Sequence, residues 1–158
     1  MKRLISVGLV LGAFGALPTW AQVKIEDPWA RATVPGQKAT GVFMRLTATQ
    51  GSQLVGVSSP VAGVAEVHEM KMDNNVMKMA AVPAIDLPAG KPVALQPGGY
   101  HVMLMDLKGP LAKDTSVTLT LKFKDSKGVV SQQEVKLPVK EMTHGLSKDG
   151  GMGSAHKH

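Results

Sequence analysis

Hydrophobic and polar positions alternate along much of this chain with the two-residue period of β-strands. Val42, Met44 and Leu46 alternate with Phe43, Arg45 and Thr47. The clearest run sets Val117, Leu119, Leu121 and Phe123 against Thr118, Thr120, Lys122 and Lys124, which predicts a strand with one buried and one wet face. Val135, Leu137 and Val139 repeat the pattern after a turn at Asp125-Ser126-Lys127-Gly128. Further turn signals fall between the runs, at Pro35-Gly36, Gln50-Gly51, Asp73-Asn74-Asn75, Pro88-Ala89-Gly90 and Pro97-Gly98-Gly99. No long window has a 3.6-residue apolar period. Short strands broken by Gly/Pro turns predict an all-β sandwich or barrel in a single domain.

Both ends depart from this pattern. Lys2 and Arg3 precede an apolar run from Leu4 to Leu17, and Thr19 and Ala21 supply small residues at cleavage positions. That layout predicts a secretory signal peptide over residues 1–21, with Gln22 as the mature N-terminus. The run is shorter than the ~20 residues a spanning helix needs, and no later segment is long and apolar enough to span. From Glu141 to His158 the chain has glycines, charges, three histidines and two methionines without apolar periodicity, which predicts a flexible tail. The expected organisation is therefore a leader at 1–21, one domain at 22–140 and a tail at 141–158.

Composition narrows the function. Loss of the leader removes Lys2 and Arg3, so the formal charge falls from +6 to +4, and the lysines are scattered singly. Four aromatic residues follow Gln22 (Trp29, Phe43, Tyr100 and Phe123), too few and too dispersed for a nucleic-acid surface. The chain has no cysteine. That excludes disulfides, thiol catalysis, thiolate zinc sites and a Cys-ligated blue-copper centre. Methionine is abundant instead, and six of the nine after Met1 lie between Met70 and Met105.

The two histidines of the domain sit among those methionines. His68-Glu69-Met70-Lys71-Met72 is followed by Met77-Lys78-Met79, and later by His101-Val102-Met103-Leu104-Met105. Residues two apart on a strand share a face, so His101 projects with Met103, and Met77 with Met79. Two adjacent strands presenting such pairs could surround one ion with imidazole nitrogen and thioether sulfur. Thioether is soft and uncharged; it suits Cu(I) and is a poor ligand for Mg²⁺, Ca²⁺ or Zn²⁺. Any single methionine is more often a core filler, and Met44, Met72 and Met105 are assigned core or supporting roles.

The spacing His68-x10-Met79-x21-His101-x-Met103 closely resembles the signature of the PCu(A)C family of periplasmic copper chaperones. Asp27-Pro28-Trp29-Ala30-Arg31, Ser58-Ser59-Pro60, Glu66-Val67-His68 and Pro97-Gly98-Gly99-Tyr100 agree with it, over about Val23 to Val139. The resemblance implies a cupredoxin-like β-sandwich that binds one Cu(I) through His68, Met79, His101 and Met103. It implies a copper carrier in the periplasm, supplying the copper-bearing subunit of cytochrome c oxidase directly or with a Sco-type thiol protein; a monomeric binding protein without a catalytic cycle is the default expectation. Glu69 stands where many members have Met, which makes Met70 a candidate spare ligand. The tail resembles the His/Met-rich extensions of some members, which implies a secondary Cu(II) site from Met142, His144, Met152, His156 and His158. The alternative for the tail is a solvated end whose histidines do nothing. The alternative for the whole is a copper-buffering protein of the CopC kind.

Overall fold

A computed structural model describes residues 23–142. The predicted leader, and all of the predicted tail beyond Met142, lie outside the described residues. Ten strands account for most of the described chain: β1 (Val23–Arg31), β2 (Ala39–Ala48), β3 (Ser52–Ser58), β4 (Ala62–Asp73), β5 (Val76–Ala81), β6 (Ile85–Leu87), β7 (Pro92–Leu95), β8 (Tyr100–Leu107), β9 (Ser116–Asp125) and β10 (Val130–Lys140). No helix among the described residues is long and apolar enough to cross a membrane.

The strands run in the order β5-β4-β8-β7-β2-β1-β10-β9-β3-β6, with β2 also pairing directly with β8. The sheet folds over at β1, which is antiparallel to β2 and parallel to β10 through Ala30↔Val139 and Arg31↔Lys140. The two halves face each other across one core. Val42, Met44, Leu46, Val102 and Leu104 come from one half, and Leu54, Leu119, Leu121, Phe123 and Leu137 from the other. Each set is the apolar half of an alternating run, so one strand register buries every second residue. The all-β, single-domain sandwich expected from the sequence is what forms.

Turn chemistry fixes the hairpin that matters most for the site. β4 and β5 are joined by two residues, Asn74 (φ 49°) and Asn75 (φ 62°). Two consecutive positive φ values are the mark of a type I′ turn, whose twist matches that of the flanking strands, and asparagine tolerates the conformation. The expected turns at Pro35-Gly36 and Pro97-Gly98 likewise have glycine at positive φ, 84° and 87°.

Candidate metal centre

Every second residue of β4 and β8 points away from the core, and on this outer face the chemistry collects. β4 and β8 are antiparallel with His68 directly opposite His101 and Glu66 opposite Met103. Directly opposed residues share a face, and the two imidazole rings stand 5.9 Å apart, centroid to centroid. A row of rings continues across the sheet: Phe43 lies 6.4 Å from His101, and Trp29 lies 4.8 Å from Phe43. On β2, Gly41 sits opposite Met103. Both histidines are buried, though they lie on the outer face.

Each imidazole is oriented through one nitrogen, which leaves the other free. The Nδ1–H of His101 donates to the Gly99 carbonyl at 3.2 Å, and that oxygen also accepts the Met70 N–H at 3.1 Å. The Pro97–Gly99 turn thus holds both the ring and the β4 backbone, leaving Nε2 of His101 available. His68 places Nε2 3.0 Å from Glu66 Oε2. With Nε2–H donating to this carboxylate, Nδ1 keeps its lone pair, and Nδ1 is buried with no hydrogen-bond partner among the described residues. A buried polar nitrogen without a partner costs free energy, roughly 1–3 kcal/mol. An ion that accepts the lone pair would remove that cost.

The thioethers complete the face. A cleft of about 300 Å³ is lined by Met70, Phe43, Gly41, His101, Met103 and Met142, among others. Met79 sits on β5 directly opposite Met70 and is half exposed. The donor set available on this face is therefore two imidazoles and the thioethers of Met70, Met79 and Met103. It is rich in soft, neutral donors, and among the described residues no group of three His, Cys, Asp or Glu forms a metal cluster. A larger cleft of about 640 Å³ opens elsewhere, between Gly51–Gln53, Asp86–Pro88 and Lys124–Gly128, and contains no histidine or methionine.

The four residues of the spacing pattern are distributed unequally. His101 and Met103 line the cleft, His68 adjoins His101, and Met79 is displaced to the next strand. The strand carrying Met77 and Met79 is not adjacent to the one carrying His101 and Met103, as sequence reasoning allowed, because β4 runs between them. Met44 is in the core, whereas Met105 is only partly buried and Met72, assigned there a core or supporting role, is 64% exposed. Met72 lies near the tip of the hairpin, beyond the reach of the core. Glu66 was not singled out for a role; its position two residues before His68 on a strand was the available signal. Met142 lines the cleft, while His144, Met152, His156 and His158 lie outside the described residues.

The fold and its outer face define a β-sandwich with a buried histidine pair beside clustered thioethers. The chain belongs to the family described as "Putative lipoprotein LpqE-like", whose model matches residues 23–139. It is 32% identical to "Putative lipoprotein Lxx21020" of Leifsonia xyli subsp. xyli, over 90% of this chain and 91% of that protein. Among solved structures, it resembles the copper-bound PCuAC domain from PmoF2 at 26% identity and a TM-score of 0.61, covering 77% of this chain and 94% of that domain. It also resembles the Cu(I) form of DR1885 from Deinococcus radiodurans at 33% identity and a TM-score of 0.54, over 82% and 83% of the two chains.

Proposed function

We propose that this protein is an exported copper(I) carrier that holds one ion through His68, His101, Met103 and Met79, with Met70 as a spare thioether. The observation that carries the reading is the cross-strand register: it sets His68 against His101 on one face, beside Met103 and the Met70–Met79 pair. The likeness to a copper-bound PCuAC domain and to Cu(I)-bound DR1885 supports the choice of metal. The resemblance of the His68–Met103 spacing to the PCu(A)C signature supports it independently.

The role of the chain is positional. Gly99 and Glu66 each engage one nitrogen of an imidazole, which turns the other nitrogen toward ligation. The thioethers contribute no charge, so the bound ion keeps its own, and a partner offering thiolate could draw it away. Met79 is half exposed, and this exposure supports a reading in which it is the first ligand displaced. Release by stepwise ligand exchange suits a carrier rather than an enzyme. The acceptor is the copper-bearing subunit of cytochrome c oxidase or a Sco-type thiol protein, reached in the periplasm, with the carrier acting as a monomer. The leader at 1–21 supports export, as does membership of a family described as lipoproteins. No cysteine stands in these 158 residues to take a thioether-linked lipid.

Competition against a chromogenic Cu(I) chelator tests the site. His101→Ala and Met103→Ala should each lower Cu(I) affinity at least about tenfold, equivalent to ~1.4 kcal/mol, while the far-ultraviolet circular dichroism stays that of a folded β protein. Unchanged affinity in both variants would sink the assignment. Incubation of the Cu(I)-loaded protein with an apo oxidase copper domain should move copper to the acceptor. Retention on this chain would instead favour a buffering protein of the CopC kind.

A further inference from the structure

The β4–β5 hairpin holds more thioethers than one site needs. Its ladder pairs His68↔Ala81, Met70↔Met79 and Met72↔Met77 without a bulge. Opposed residues on one face have Cβ atoms about 4.5–5.5 Å apart, and the next rung on that face lies roughly 7 Å along the strands. Four methionines therefore stand in two successive rungs, in line with His68. The inner rung adjoins the histidine site, since Met70 lines the cleft with His101 and Met103. The outer rung faces water: Met72 is 64% and Met77 47% exposed.

Folding does not account for the outer rung. Neither residue is in the core, and β5 is an edge strand exposed along its whole length. The opposite face of the hairpin has the composition expected of such an edge, with Lys71 bonded to Glu69 at 3.1 Å and Lys78 paired with Asp73. The hydrogen bond to Glu69, aided by its charge, raises the Lys71 ammonium above its ordinary value. All the charges of the hairpin beyond His68 are on that side, and only sulfur is on this one.

We infer that Met72 and Met77, together with Met70 and Met79, form a second, all-thioether station for Cu(I), continuous with the histidine site. The inference rests on the copper(I) reading of that site. Met70 and Met79 belong to both sets, so an ion passes between them by replacing one sulfur or nitrogen ligand at a time, without release into water. Having no imidazole, the outer station is the weaker of the two. It is also the end that a partner's ligands reach first.

The test is a titration of the full chain, labelled with carbon-13 at the methionine methyls and nitrogen-15 in the histidine rings, with Ag(I) as a redox-inert soft ion. Each methionine reports separately, those of the tail included. The first equivalent should shift Met103, Met79 and the rings of His68 and His101; the second should shift Met72 and Met77. In the Met72→Leu/Met77→Leu variant the first step should be unchanged. Transfer of Cu(I) from that variant to a chromogenic chelator should slow at least fivefold at equal equilibrium affinity. Met72 and Met77 silent through two equivalents, or the second ion seated on Met142 and Met152, overturns the station while leaving the histidine site standing. Silence at His68, His101 and Met103 overturns the copper(I) reading itself.

Discussion

The ring of Phe43 occupies the space where a side chain at residue 41 would stand: a Cβ on Gly41 would lie 2.8 Å from its outermost carbon. That absence lets Phe43 lie along the sheet between Trp29 and His101 and keeps the cleft open beside Met103. Glu66 acts at the same scale. By accepting the Nε2–H of His68 it fixes which nitrogen keeps a lone pair, and partners of this kind typically change metal affinity 10–100-fold when removed. Because Glu66 is about half exposed, the lower end of that range applies. Glu66→Ala should reduce Cu(I) affinity about tenfold in a chelator competition, whereas Glu66→Gln, which retains an accepting oxygen, should stay within about threefold of the parent. Equal losses in both variants would mean that the carboxylate charge, and not ring orientation, is what counts.

At the scale of the element, the β4–β5 hairpin brings Met79 to the site, and its geometry depends on two residues at positive φ. A β-branched side chain in that conformation costs roughly 1–3 kcal/mol. Asn75→Val should therefore loosen β5 locally. Because β5 contributes nothing to the core, the thermal midpoint should move little while the β5 amides lose hydrogen-exchange protection and Cu(I) affinity falls. Protected β5 amides with lowered affinity would separate Met79 from the hairpin's order and count against this account. The hairpin also shows what the sequence could reveal. Alternation marked β2, β9 and β10, and Asp73-Asn74-Asn75 marked a turn, because those signals are local. That β4 lies between β5 and β8 was not legible, since strand neighbours are chosen by pairings between residues far apart in sequence. The spacing of His68, Met79, His101 and Met103 named the candidates. It could not show that Met70 is nearer the cleft than Met79, nor that Glu66 meets His68.

For the whole molecule, the last strand among the described residues, β10, is tied firmly into the core. Val139 is buried in the core, its N–H donates to Thr115 at 2.8 Å, and its carbonyl accepts from Asp114 at 3.0 Å. The Lys140 carbonyl accepts the Ala32 N–H at 2.8 Å, which ties the C-terminal strand to the first. Met142 lines the cleft beside His101. A chain cut after Met142 thus keeps every hydrogen bond and cleft-lining residue found among the described residues, and lacks His144, Met152, His156 and His158 from the tail set. Imidazoles suit Cu(II) better than thioethers do, so the two chains should separate by oxidation state. Both should take up Cu(I) at the histidine site with equal affinity. Only the full chain should show a Cu(II) electron paramagnetic resonance signal with nitrogen couplings at one added equivalent. The same Cu(II) signal in the shortened chain would place that ion on His68 and His101, and the tail would then have no copper of its own to pass inward.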